Sequence, residues 1–224
     1  MKRIDYNSRD EWLYARESRA TGTKIKDLAV KPRTRGIELN DGLVANIAQV
    51  KLAAEFMTTF DIRQGIEWRN DAERGLFLEE EALAAVEAVS GIRFERLENV
   101  LCFADDRILA VSPDGLTKDA KIGLETKCLG SDKHLLAVMA SKGNEPAKAM
   151  LLDEFKSQLA QYFCVIDTLE KIVLGFYDPR FINEKYRTVV FSFTRDDFAD
   201  EIAKNIEIVE NSKIVIKKIL GELV

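Results

Sequence analysis

Residues 112–127 read SPDGLTKDAKIGLETK, and the spacing of charge within them decides how the rest of the chain is read. Asp114 is followed eleven residues later by Glu125 and, two residues beyond that, by Lys127. In an extended strand side chains two apart share a face, so Glu125 and Lys127 project together while Thr126 points away. Asp114, in the Pro-Asp-Gly turn before the strand, can join them. Two carboxylates and an ammonium on one patch make a poor core, but they suit a divalent cation with an amine beside it that handles protons or steadies charge.

Working outward, the chain has 224 residues, enough for one sizeable core, and a single domain over 1–224 is expected. Hydrophobic residues at 46% and charged residues at 32% describe an ordinary folding chain rather than a disordered one. No apolar run approaches the roughly 18 residues of a membrane span, and MKRIDYNSRDEW lacks the apolar stretch of a secretion signal. The expected address is therefore cytoplasmic, with no membrane partner. Cys102, Cys128 and Cys164 are odd in number and contain no CxxC pair, which leaves a disulfide framework, a zinc knuckle and a four-cysteine cluster unsupported. His134 is the single histidine, so histidine-rich metal sites and His-Asn-His nucleases are excluded, and a Ser-His-Asp triad would rest on it alone.

The net charge of −5 argues at first against a nucleic-acid partner. It conceals an asymmetry: residues 1–36 hold ten Lys or Arg against five Asp or Glu, a net of +5, and the remainder carries −10. A basic N-terminal segment on an acidic body can still meet phosphates, although a cluster of solvated charges reads the same way.

Ser8 and Glu11 form a capping box for a first helix carrying Trp12, Leu13 and Arg16. A loop rich in Thr, Gly and basic residues follows to Gly36. A second helix is expected after Asn40-Asp41-Gly42, with Val44, Ile47, Val50, Leu52 and Phe56 as core, and helical pattern again over 62–90, where Leu76, Leu83, Val86 and Val89 share a face and Gly91 is the stop. Strands are expected over 94–103, 107–111, 121–128, 171–177 and 185–193. Between them lie a connection with a short helix over 129–150 and a helix over 151–166; a last helix starts at Thr194, with Asp197 as a partial capping box. The order predicts an α/β sandwich, a mixed β-sheet flanked by helices on both faces, with the sheet-rich core at 92–193 and a C-terminal helix at 194–224.

SPDGL at 112–116, GLETKC at 123–128 and YDPR at 177–180 resemble the phage lambda exonuclease family, the YqaJ-like viral recombinase nucleases of the PD-(D/E)xK superfamily. The likeness runs from about Trp12 to Arg180. It implies a restriction-endonuclease-like core in which Asp114 and Glu125 are the main metal ligands, the Thr126 carbonyl is a third, and Lys127 orients or activates the attacking water. Gly75, Glu79 and Gly91 fit the family's Gly-x-x-x-Glu helix, which makes Glu79 a candidate carboxylate for a second metal rather than one of three solvated glutamates. Arg16, Thr23 and Ser112, with Thr21 nearby, would hold a terminal 5′-phosphate, since a guanidinium fork and hydroxyls suit a dianion. Arg33 and Arg35 could track the DNA backbone, with no motif choosing between them. Gln158 and Gln161 match polar positions close to the scissile phosphate. Phe155 stands where the family commonly has Tyr and Leu129 where it often has Pro.

The function so implied is a Mg2+-dependent 5′-to-3′ exonuclease, with Mn2+ as a substitute, that degrades one strand of linear double-stranded DNA and leaves 3′ overhangs. The resemblance also implies a homotrimer ring, a single-strand annealing recombinase as partner, and a phage or prophage gene acting in the cytoplasm of a bacterial host. Two other readings fit the residues: a structure-selective or nicking endonuclease on the same fold, and a non-catalytic DNA-binding module.

Overall fold

A computed structural model of the chain describes residues 36–39, 42–58, 71–97, 100–103 and 110–223. In chain order the elements are β1 (Ile37–Glu38), β2 (Val44–Ala45), α1 (Ile47–Met57), α2 (Asp71–Ser90), β3 (Glu95–Arg96), β4 (Cys102–Phe103), β5 (Ala110–Val111), β6 (Gly115–Leu116) and β7 (Ile122–Lys127). They continue through α3 (Ser131–Ser141), α4 (Glu145–Val165), β8 (Lys171–Tyr177), a 3-10 turn (Glu184–Tyr186), β9 (Thr188–Thr194), a second 3-10 turn (Asp196–Phe198) and α5 (Ala199–Leu223). Five strands form one sheet in the order β3-β6-β7-β8-β9, and β1-β2 and β4-β5 are two-stranded ribbons. β6 lies antiparallel to both β3 and β7. The amides of Glu170 and Lys171 both donate to the Lys121 carbonyl, at 2.8 and 3.1 Å, so β7 and β8 start at the same end and run together. The sheet is mixed and the chain is α/β, as the sequence predicts.

The described residues group into two compact units, one drawn from 1–86, 127–151 and 176–189, the other from 87–126, 152–175 and 190–224. In the first, α1 packs on α3, and Ile37, Ala54, Ala137, Phe176 and Phe181 are buried. Asn144 ties two of its segments, donating to the Glu38 carbonyl at 3.0 Å and accepting from the Ala147 amide at 2.8 Å. In the second, Leu124, Leu159, Phe163, Ile172 and Leu174 form the core. Gly115 shows why the Pro-Asp-Gly turn ends in glycine: a Cβ there would stand 2.9 Å from Phe94 Cβ.

Several boundaries differ from those expected, each for a local reason. The helix expected from Val44 begins at Ile47, because Asn46 and Gln49 form a reciprocal capping box and Val44–Ala45 pairs with β1 instead. Its buried stripe is narrow, Val50 and Ala54; Phe56, expected in the core, is 64% exposed and Val44 is 42% exposed. On α2 the buried positions are Ala82 and Val86, while Leu76 and Val89 are exposed. The strand expected over 94–103 is two pieces with different partners, β3 on β6 and β4 on β5. The connection expected over 129–150 is largely helical, formed by α3 and the start of α4. β9 begins at Thr188 because Asn183 caps the preceding 3-10 turn. Asp197 does accept from the Thr194 amide and hydroxyl, at 2.6 and 2.8 Å, but the α-helix proper starts at Ala199. Gly91 ends α2 with φ of 70°, as expected. The Ser8 cap, the Trp12 helix and the loop before Gly36 lie outside the described residues.

Candidate active site

The site is built on the β6–β7 hairpin and one face of α4. The Asp114 amide donates to the Leu124 carbonyl at 3.1 Å, so its main chain is held against β7. Its side chain is held there too: Asp114 Oδ2 accepts from the Thr126 amide at 2.6 Å and from Thr126 Oγ1 at 2.7 Å. Both donors fall on the one oxygen, Oδ2. Glu125, one residue before Thr126, is 4% exposed, unusually buried for a carboxylate. Burial at that level requires donors. Gln158 Nε2 supplies one to Oε1 at 2.8 Å, and the Tyr162 hydroxyl supplies another to Oε2.

Gln158 and Tyr162 are four apart on α4, so one helical turn presents both to the same carboxylate. Tyr162 is 2% exposed. Burial first, then the negative charge of Glu125 and the hydrogen bond to it, and then Asp114, push its hydroxyl far above the ordinary tyrosine range, so it remains a donor at any working pH. Gln161 donates to the Ala110 carbonyl at 3.4 Å, and Ser112 Oγ donates to the Val100 carbonyl at 2.7 Å.

The structure therefore brings together Asp114, Glu125, Thr126 and Gln158, with Ser112 on the segment before Asp114 and Gln161 on α4, bonded to the Ala110 carbonyl. Ser112 is exposed, and to donate to a phosphate its hydroxyl must turn away from Val100. Lys127 closes β7, half-buried, two residues beyond Glu125; Glu79 is half-buried on α2, and both group with the first compact unit. Phe155, where the family resemblance led to a tyrosine, is buried. Arg16, Thr21, Thr23 and Arg33 lie outside the described residues. Sequence reasoning missed Tyr162, although its spacing from Gln158 was a usable signal. It also missed Glu81, which accepts from the buried Tyr177 hydroxyl at 2.5 Å.

Among the described residues no group of three or more His, Cys, Asp and Glu side chains is placed to hold a metal ion. The donor set is nonetheless that of a hard cation: two carboxylates, with the Thr126 carbonyl available as a further oxygen and no soft ligand. The Gln158 and Tyr162 bonds occupy only part of the acceptor capacity of Glu125, since a carboxylate offers about four lone-pair sites. Asp114 and Glu125 fit a divalent cation on that chemistry.

Residues 11–168 match the model of the YqaJ-like viral recombinase domain. The match covers most of the chain and takes in Asp114, Glu125, Lys127, Gln158 and Tyr162, and the chain belongs to this family. No curated protein matches it. Among solved structures, it is similar to an alkaline exonuclease from Laribacter hongkongensis, at 18% identity over 96% of this chain and 100% of that one, TM-score 0.49. The same exonuclease in complex with dAMP gives 18% identity with the same coverage, TM-score 0.46. A phage-related exonuclease from Haemophilus somnus 129PT gives 12% identity over 90% of this chain and 95% of that one, TM-score 0.48. Among the described residues no helix is long and apolar enough to cross a membrane.

Proposed function

We propose that this chain is a divalent-metal-dependent exonuclease that degrades one strand of linear double-stranded DNA from 5′ to 3′, leaving 3′ overhangs for phage-type recombination by strand annealing. The observation that carries the reading is the Asp114 carboxylate clamped on Thr126 beside the buried, doubly hydrogen-bonded Glu125, inside the span that matches the family. Asp114, Glu125 and the Thr126 carbonyl would hold Mg2+, or Mn2+ in its place. When bound, such a cation offsets the negative charge that develops on the phosphate and its departing oxygen. Lys127, on the same strand two residues after Glu125, orients and activates the attacking water; Gln158 steadies Glu125. Glu79 serves as an assisting carboxylate.

Arg16, Thr21, Thr23 and Ser112 form the pocket for a terminal 5′-phosphate, with Arg33 and Gln161 along the DNA. Placing that pocket beside the metal makes cleavage begin at an end. The protein works as a ring-shaped homotrimer with a single-strand annealing recombinase, in the bacterial cytoplasm from a phage or prophage gene. The test is digestion of linear duplexes labelled at one end and carrying either 5′-phosphate or 5′-hydroxyl, with closed circles alongside. Loss of label from the 5′ end, faster on phosphorylated ends, is expected. Rapid attack on closed circles would show a nicking or structure-selective endonuclease instead, and Arg16→Ala should weaken the preference for phosphorylated ends.

A further inference from the structure

Glu125 is served by two donors from α4, but they are not equivalent. Gln158 is exposed, so water can take its place. Tyr162 is 2% exposed and its bond to Glu125 is buried. That hydroxyl has one proton and two acceptors within reach, Glu125 Oε2 and, at 3.2 Å, the Ser112 carbonyl. Ser112 lies two residues before Asp114. One phenolic oxygen thus touches the strand that bears one carboxylate and the segment that leads into the other.

We propose that Tyr162 is a positioning residue: its hydroxyl, committed to the Glu125 carboxylate, holds that side chain ready for a divalent cation. The inference rests on the metal-dependent nuclease reading above. With Tyr162 in place the carboxylate needs no reorganisation on binding. Without the hydroxyl, Glu125 Oε2 loses a donor and the side chain a hold on its direction. Partners of this kind, outside the ligand set, typically change metal affinity by about tenfold or more.

The experiment titrates the intact chain with MgCl2 by calorimetry and measures thermal midpoints without metal, for wild type, Tyr162→Phe, Glu125→Gln and the double variant. Tyr162→Phe is expected to weaken Mg2+ binding about tenfold or more. It should also lower the metal-free midpoint, and the loss in the Glu125→Gln background should be at most about half as large, because bonds to charged groups are roughly twice as strong as neutral ones. Tyr162→Phe failing to fold alone while the double variant folds supports the same role. Mg2+ affinity within about twofold of wild type, below the range such partners show, overturns it. Equal midpoint losses in both backgrounds, or failure of both to fold, also overturn it and reduce Tyr162 to a packing residue. A wild-type chain that neither binds Mg2+ nor digests duplex DNA overturns the nuclease reading itself. A wild type that does both, with Tyr162→Phe binding equally well, removes only the role given to Tyr162.

Discussion

Replacing Arg180 by Met tests how the first compact unit is held together. Arg180 grips Asp178 with two bonds, Nε to Oδ1 and Nη2 to Oδ2, both 2.7 Å, and the side chains are 12% and 1% exposed. Ser131 Oγ donates to Asp178 Oδ2 at 2.8 Å, and Arg180 Nη2 reaches the Leu129 carbonyl at 3.5 Å. Two segments of the chain, the stretch from β7 into α3 and the one after β8, are joined through this one pair. Met keeps most of the apolar stem but leaves Asp178 as a buried charge with only Ser131 and the amide of residue 180 as donors. Breaking a buried pair from one side costs about 3–5 kcal/mol, and the remaining donors place this case near about 3. For a chain of this size about 1 kcal/mol moves the midpoint by roughly 2–4 °C, so a fall of about 6–12 °C is expected in thermal unfolding followed by circular dichroism. Arg180→Met with Asp178→Asn removes the stranded charge and should recover at least half of the fall. A single-variant shift under about 2 °C, or a double variant no better than the single, would refute the argument, since either outcome means that the stranded charge costs little.

Other expectations follow from single positions. His134 is fully buried, with Nε2 at 2.7 Å from the Tyr186 carbonyl and Nδ1 without a partner, and burial holds its pKa below the ordinary 6.5. The unfolded chain therefore takes up a proton below about pH 6.5 that the folded chain refuses, and stability falls with pH by up to about 1.4 kcal/mol per unit. Urea midpoints from pH 7.5 to 5.5 should decline less steeply for His134→Gln than for wild type; identical slopes would be the contrary result. Ala120 has φ of 54°, a left-handed conformation that glycine tolerates better, so Ala120→Gly should stabilise by about 0.5–1 kcal/mol in urea titration. Lys127→Ala is expected to cut nuclease rate by about a hundredfold or more, and Asp114→Ala likewise, with the fold kept by circular dichroism. Near wild-type digestion by both variants would remove the site assignment.

That Asp114 would meet the strand carrying Glu125 was legible because both stand in one hairpin, and Asp114 is bonded to Thr126 beside Glu125. The same holds for Gly91, whose place after an apolar helical run marks a stop. What local pattern does not carry is which of several apolar residues meets a partner. Phe56 and Leu76 fit helical stripes as well as Val50 and Val86 do, yet only the latter are covered. The start of α1 was missed for a different reason, since the Asn46–Gln49 box competes with an apolar pattern that begins earlier. At the site, an aromatic such as Tyr162 on a buried helix face reads as packing until its hydroxyl is seen on Glu125. The bond from Ser112 to Val100 joins residues twelve apart with no local signature. YDPR was read only as a family mark, whereas its Asp178 and Arg180 form a buried clasp.

The division of the chain bears on how it is made. The boundaries fall after residues 86, 126, 151, 175 and 189, so neither unit is a contiguous piece of polypeptide. During synthesis the first unit lacks its third segment until residue 189 has been joined, and the second lacks its last until α5 has followed. Closing such long loops costs chain entropy before the contacts that reward it exist, which slows folding and leaves apolar faces waiting. Because each unit is assembled from three separated segments, no simple truncation removes one and leaves the other whole.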